Sequence, residues 1–204
     1  TVVALRWHDP PTSAFILRER ASGDYAVQHR WVDWQNISPH AKVAVIAAED
    51  QLFPQHLGFD LKSINDALDD MERGRRVRGA STISQQVAKN LFLWPRQSWI
   101  RKGLEAYFTV LIELLWPKQR ILEVYLNIAE LGKGVFGVGA ASDRFFRKDP
   151  PRLTAADAAL MAAVLPSPKR MRINAPSRYV RSRQQWILGQ MRALGGPGLL
   201  KSIE

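Results

Sequence analysis

Residues 79–90 read Gly-Ala-Ser-Thr-Ile-Ser-Gln-Gln-Val-Ala-Lys-Asn. Ser81, Thr82, Ser84, Gln85, Gln86 and Asn90 can each donate and accept hydrogen bonds, and Lys89 adds a compact positive charge suited to phosphate. A ligand rich in hydroxyls and carrying phosphate fits this chemistry. Upstream stands an acidic pair, Glu49-Asp50. On a helix the i−4, i−3, i+3 and i+4 neighbours of Glu49 are Val45, Ile46, Leu52 and Phe53, so its carboxylate falls on the apolar stripe. Desolvation there raises a carboxyl pKa and makes a useful proton acceptor. The ordinary alternative is a helix-terminal carboxylate that reaches solvent or a nearby lysine, with Asp50 holding a loop amide or a cation. Glu105 has Arg101 at i−4, which by itself describes a surface pair contributing about 0.3–0.5 kcal/mol.

The elements that must position these groups read as mainly helical. Residues 1–37 mix Trp7, Phe15, Ile16, Tyr25, Val27, Trp31, Val32 and Trp34 with Pro10-Pro11 and Gly23-Asp24, a pattern that predicts a short hairpin or extended arm. Ser38 as N-cap and Pro39 at the first helical position predict a helix near 39–53. Pro117 opens another through Ile121, Leu122, Tyr125, Leu126 and Ile128, with Gly132 as its C′ residue. Thr154 and Asp157 form a capping box before the alanine-rich stretch 155–165, which Pro166 stops. Loops are expected at 54–60, 73–80, 132–139 and 166–176. The string Gly132-Lys-Gly-Val-Phe-Gly137 matches a dinucleotide fingerprint in letters, but it follows a helix and not a strand, so it reads as a flexible loop.

Composition bounds the partners. The 204 residues suffice for one compact unit with a subordinate lobe, and a net charge of +10 points to an anionic partner: nucleic acid, acidic membrane or a phosphorylated substrate. Without cysteine there is no disulfide scaffold, zinc ribbon or thiol nucleophile. The longest apolar run, Tyr107–Trp116, contains Glu113 and falls short of the roughly 20 residues of a spanning helix. The chain starts at Thr1, which suggests that an upstream anchor is missing from it. The segment Leu91–Ile100 interleaves Phe92, Trp94 and Trp99 with Arg96, a pattern shared by interfacial segments and buried helix ends.

Taken together, the motif around Glu49, Phe53, His56 and Gly58, the stretch 79–90, Arg101-Lys102-Gly-Leu-Glu105 and Ile121-Leu-Glu123-Val-Tyr125-Leu-Asn127 resemble the ordered motifs of the peptidoglycan glycosyltransferases, glycosyltransferase family 51. The similarity spans about 36–170. No Ser-x-x-Lys or Lys-Thr-Gly motif follows, so the chain resembles the monofunctional biosynthetic branch of Gram-negative bacteria.

The resemblance implies a lysozyme-like helical lobe (a catalytic domain over 38–204) and a smaller membrane-facing lobe at roughly 73–118, with 1–37 as the N-terminal arm. The implied reaction is polymerisation of lipid II into β-1,4 glycan strands on the periplasmic face of the inner membrane, by inverting displacement of undecaprenyl diphosphate. The implied partners are lipid II, the growing strand, the membrane surface and other cell-wall synthesis proteins. Glu49 matches the family's general base. Glu105 matches the second essential carboxylate, placed near the donor diphosphate and a divalent metal, Mg2+ or Mn2+. Lys89, Arg101 and Lys102 match the cations that steady the leaving group, with Arg96 added. Asp50, Phe53, His56, Ser81, Thr82, Gln86 and Asn90 match the rest of the donor cleft, where the inhibitor moenomycin binds in this family. Ser84 stands where threonine is common, and Phe145-Phe146 stands for Tyr-Phe, which removes a hydroxyl.

Two other readings compete. A lysozyme-like glycan cleaver needs its Glu as an acid and has no use for a diphosphate clamp. A nucleic-acid binder would use Arg73–Arg78 or the stretch from Lys169 to Arg183, but leaves the ordered motifs without a role.

Overall fold

The computed structural model describes residues 1–60, 81–96 and 98–203. The predicted loop at 73–80, the Arg73–Arg78 run and the beginning of the expected small lobe lie outside the described residues. The fold is mainly helical, as expected, with a small sheet at one side. Among the described residues its α-helices are α1 Ala14–Ser22, α2 Pro39–Glu49, α3 Ile83–Phe92, α4 Trp99–Leu115, α5 Lys118–Ile128, α6 Gly137–Ala141, α7 Ala155–Ala163 and α8 Arg178–Ala193.

Helix α2 occupies the centre. Ser38 caps it by accepting from the His40 amide at 3.3 Å, and its hydroxyl donates to the Leu153 carbonyl at 2.7 Å. Val43, Ala44, Val45, Ile46 and Ala47 are all buried, so this helix is apolar around most of its circumference, as a core helix must be. Burial of a side chain such as Ile46 stabilises by about 1.5–3 kcal/mol. Alanines at 158, 159, 162 and 163 let α7 approach α2 closely, and α8 packs on both. Helix α3 packs on α4 and α5 to complete the frame of the site.

The predicted capping box at Thr154 and Asp157 is present. The N-terminal segment, in contrast, is not a hairpin. Ser13 accepts from the Ile16 amide at 3.2 Å and Gly23, at φ 69°, closes α1, two helix signals that the neighbouring aromatics and prolines obscure. Nor is the segment a free arm, because Val2, Val32 and Trp34 join the main core. Arg120 donates to the Leu5 carbonyl at 3.1 Å and to the His8 carbonyl at 2.7 Å, which fastens the segment to α5.

Gly132 is not a helix C′ residue. Helix α5 ends at Ile128, and Gly132 lies in strand β2 (Glu130–Gly132), where a Cβ would come within 2.7 Å of the Phe145 ring. The expected flexible loop 132–139 is likewise ordered. Strand β3 (Val135–Phe136) pairs antiparallel with β2 and parallel with β1 (Gln28–His29) in a three-stranded sheet, and α6 follows at once. Gly137 makes this possible: at φ 79° an added Cβ would lie 2.4 Å from the Asn127 carbonyl oxygen.

Candidate active site

Helix α2 delivers Glu49 as its last residue, and the chain turns directly after it because Asp50 leaves the helical conformation. Asp50 is buried and faces inward. It accepts from His56 Nε2 at 2.9 and 3.0 Å and from the Ile83 amide at 2.9 Å, so one carboxylate joins the end of α2 to the start of α3. His56 Nδ1 in turn accepts from the Gly58 amide at 3.0 Å. Thr82 caps α3 in a capping box with Gln85 and donates to the Gly58 carbonyl at 2.7 Å. Phe53 is fully buried in the core, with the Lys118 ammonium 4.6 Å from its ring centre. These groups from the first two sequence motifs therefore build the junction that aims α2 and α3.

Helix α3 presents Gln86 and Lys89, at i and i+3, to a cleft of about 720 Å³. Ser81, exposed, lines the same cleft, and α4 adds Arg101, Lys102 and Glu105. Asn90 and Arg96 stand outside the lining, with Arg96 exposed beside Pro95. Phe15, Gln85, Ser98 and Trp99 also line it. Phe15 belongs to α1, whose helical signals are obscured in the sequence by the surrounding aromatics and prolines. Ser98, which the sequence reading did not single out, is the N-cap of α4, and its side chain accepts from the Arg101 amide at 3.1 Å.

Glu49 is joined to this cleft through Gln86, whose Nε2 donates to Glu49 Oε2 at 3.1 Å. The Tyr125 hydroxyl donates to Gln86 Oε1 at 3.2 Å. Tyr125 is buried, which holds its pKa well above the ordinary tyrosine value, so it remains a donor and fixes which end of the Gln86 amide faces Glu49. From the other side Arg183 of α8 approaches Glu49 Oε1 at 3.5 Å. Burial raises the Glu49 pKa above the usual carboxylate value; Gln86, Arg183 and Lys89 pull it down, and Asp50 adds a smaller upward push. The sequence motifs assigned neither Arg183 to Glu49 nor the Tyr125 hydroxyl to Gln86.

Glu105 is almost fully buried, and each of its oxygens holds a cation: Arg101 Nη1 at 2.6 Å and Lys102 Nζ at 2.6 Å. It is thus no surface pair. Arg101 keeps its Nε buried with no partner among the described residues, a donor that a ligand oxygen would satisfy. Lys89 makes no ion pair with any described residue, and its Nζ lies 5.8 Å from the Phe15 ring centre. Burial lowers its pKa below that of an ordinary lysine; Glu105 and Glu49 draw it back up, while Arg101 and Lys102 push it further down. Lys89 therefore feels both carboxylates. With Lys89, Arg101 and Lys102 set against Glu105, the cleft carries surplus positive charge that an anionic ligand would neutralise.

A divalent cation prefers several oxygen ligands. Among the described residues no three His, Cys, Asp or Glu side chains gather as a ligand set, and both Glu105 oxygens already hold cations. The described residues alone therefore supply no complete ligand set for such a cation.

The family model described as Transglycosylase matches residues 17–192. A protein named biosynthetic peptidoglycan transglycosylase from Klebsiella oxytoca is 62% identical over 199 residues, covering 94% of this chain and 82% of its own. Proteins of the same name from Cronobacter sakazakii and Xanthomonas campestris pv. campestris are 60% and 52% identical, covering 88% and 98% of this chain and 75% and 84% of their own.

Proposed function

The chain belongs to the transglycosylase family and is a peptidoglycan glycosyltransferase; on that premise we propose that it polymerises lipid II, with Glu49 as general base. The observation that carries this reading is the Tyr125–Gln86–Glu49 series of hydrogen bonds beside a cation-rich cleft. The acceptor sugar's 4-hydroxyl attacks the anomeric carbon of the donor. As the new C–O bond forms, the hydroxyl proton passes to Glu49, and the bond from the anomeric carbon to the diphosphate breaks with its electron pair leaving on the diphosphate. A single displacement turns an α-linked donor into a β link.

Lys89, Arg101 and Lys102 receive the charge that develops on the leaving diphosphate. Glu105 holds Arg101 and Lys102 in a fixed geometry while leaving the Arg101 Nε free for a phosphate oxygen. Gln86 donates to Glu49 and so favours its charged form, which keeps a buried carboxylate able to accept a proton.

The substrate's polyprenyl tail places the work at a membrane surface, on the extracytoplasmic side where peptidoglycan is built. Among the described residues no helix is long and apolar enough to cross a membrane. Helix α4 instead exposes Ile100, Tyr107, Val110 and Leu114, which recur at helical spacing on one face, next to the nearly fully exposed Trp99. Leu91 and Leu93 are buried, because the last turn of α3 packs inward and Phe92 stacks on Phe108 at 4.7 Å, so this part of the segment is a buried helix end. The bilayer contact is Trp94, Trp99 and the outer face of α4. The full chain incubated with labelled lipid II should form glycan that a muramidase degrades; absence of polymer would overturn this reading.

A further inference from the structure

Helix α8 carries a stripe that the chemistry above does not use. Tyr179, Arg183, Trp186 and Gln190 lie at i, i+4, i+7 and i+11, and so on one side of the helix. The stripe is anchored beside the base at two levels. Arg183 donates to the Ala48 carbonyl at 3.4 Å and approaches Glu49 at 3.5 Å, and Gln190 accepts from Gln51 Nε2 at 3.1 Å. Trp186 lies between those anchors along α8, on the same side of the helix as both. Even so, Trp186 is 46% exposed and Tyr179 60% exposed. The Arg183 guanidinium lies 6.0 Å from the Trp186 ring centre, and its Nε is buried with no partner among the described residues.

Exposed aromatic rings beside an unmet guanidinium donor suit a saccharide. A pyranose presents axial C–H groups on one face, which pack on an aromatic ring, and hydroxyl and acetamido oxygens at its edge, which accept from arginine. The side of Glu49 opposite Gln86 and the cation cleft is where an incoming hydroxyl has to arrive if the cleft holds the diphosphate. We infer that the Tyr179–Arg183–Trp186 face is a saccharide platform, on which Trp186 stacks the acceptor sugar and so brings its 4-hydroxyl to Glu49. The inference rests on the glycosyltransferase reading. It makes Trp186 a binding residue for the acceptor and distinguishes it from the phosphate-binding groups of α3 and α4.

The test uses the full chain and, as probe, a lipid-free and phosphate-free β-1,4 tetrasaccharide of alternating N-acetylglucosamine and N-acetylmuramic acid, with binding measured by calorimetry. Trp186→Ala is expected to weaken tetrasaccharide binding about tenfold, which corresponds to about 1.4 kcal/mol, whereas Trp186→Phe keeps a stacking face and stays within about threefold of wild type. Pyrophosphate binding, which reports on Lys89 and Arg101, is expected to be unchanged in both. With its ring half exposed, Trp186 leaves the core intact when replaced, and an unaltered Tm serves as the folding check. Tetrasaccharide affinity that is undetectable in wild type, or equal in wild type and Trp186→Ala, overturns the platform while wild-type polymerisation of lipid II leaves the parent reading standing. Failure of wild type to polymerise lipid II overturns both.

Discussion

Burial moves Glu49 and Lys89 in opposite directions, Glu49 towards easier protonation and Lys89 towards easier loss of its proton. In the proposed roles Glu49 works only as carboxylate and Lys89 only as ammonium, so activity should fall on acidification through the raised Glu49 pKa and on alkalinisation through the lowered Lys89 pKa. The pH window is therefore narrower than free Glu and Lys would give. Arginine retains its charge at any working pH. Lys89→Arg is thus expected to retain measurable polymerisation and to extend the alkaline limb upward, whereas Lys89→Ala loses diphosphate binding; an unchanged alkaline limb in Lys89→Arg would remove Lys89 from that limb. At this scale the sequence was informative about chemistry and weaker about contact. The apolar neighbours of Glu49 announced its burial, and Glu49, Gln86, Lys89, Arg101, Lys102 and Glu105 do converge. Phe53, Asp50, His56 and Thr82 came from the same motifs, yet their side chains turn inward. A motif records that residues occur together without separating those that touch a ligand from those that support the ones that do. Arg183 lies 134 positions from Glu49, and no local pattern could have announced it.

Among elements, the α2–α3 junction sets how Glu49 on α2 stands against Gln86 and Lys89 on α3. Asp50 accepts both the His56 ring and the first amide of α3, so Asp50→Ala strands two buried donors. Each costs about 1–3 kcal/mol, and thermal melting should show a drop of several degrees, at roughly 2–4 °C per kcal/mol for a chain of this size. Asp50→Ala melting with wild type would show that the junction is held by packing alone. A second junction joins α1, β2 and the 166–176 loop, where Lys169 donates to Glu19 at 2.7 Å and lies 3.8 Å from Glu130. Burial raises the Glu130 pKa to about 7, with Lys169 opposing and Glu19 adding to the shift. A carboxyl with a raised folded-state pKa favours the fold at low pH and loses that contribution as pH rises through about 7. Glu130→Gln should flatten the decline in Tm between about pH 4.5 and pH 7, the ordinary and the raised value of this carboxyl, and an identical pH profile would contradict the assignment. Helix starts were legible where a hydroxyl cap precedes an apolar run, at Ser38 and Thr154. Gly132 and Gly137 misled because their smallness serves close approach to Phe145 and to Asn127, a tertiary requirement that resembles loop composition in one dimension.

For the whole molecule, the membrane contact proposed above combines a net charge of +10 with the exposed apolar face of α4, a pairing suited to an anionic bilayer. Replacing Trp99, Ile100, Tyr107 and Leu114 with serine should reduce binding to anionic lipid vesicles at least tenfold and leave Tm nearly unchanged, since these side chains are already exposed. Undiminished vesicle binding would assign the contact to another surface. The helical class was readable from periodicity, but which apolar residues are core and which face outward was not: Leu91 and Leu93 share composition with Trp99 and Ile100 and differ only in what packs against them. In the proposed mechanism this molecule carries out one displacement with one general base. Glu49→Gln keeps the shape and removes the basicity, and it also relieves the fold of a buried charge, so the variant should be at least as stable as wild type at neutral pH. The decisive measurement is the rate at which this folded variant polymerises labelled lipid II. A loss of about 10²–10⁴-fold with pyrophosphate affinity retained is the expected result, and polymerisation near the wild-type rate would contradict the account.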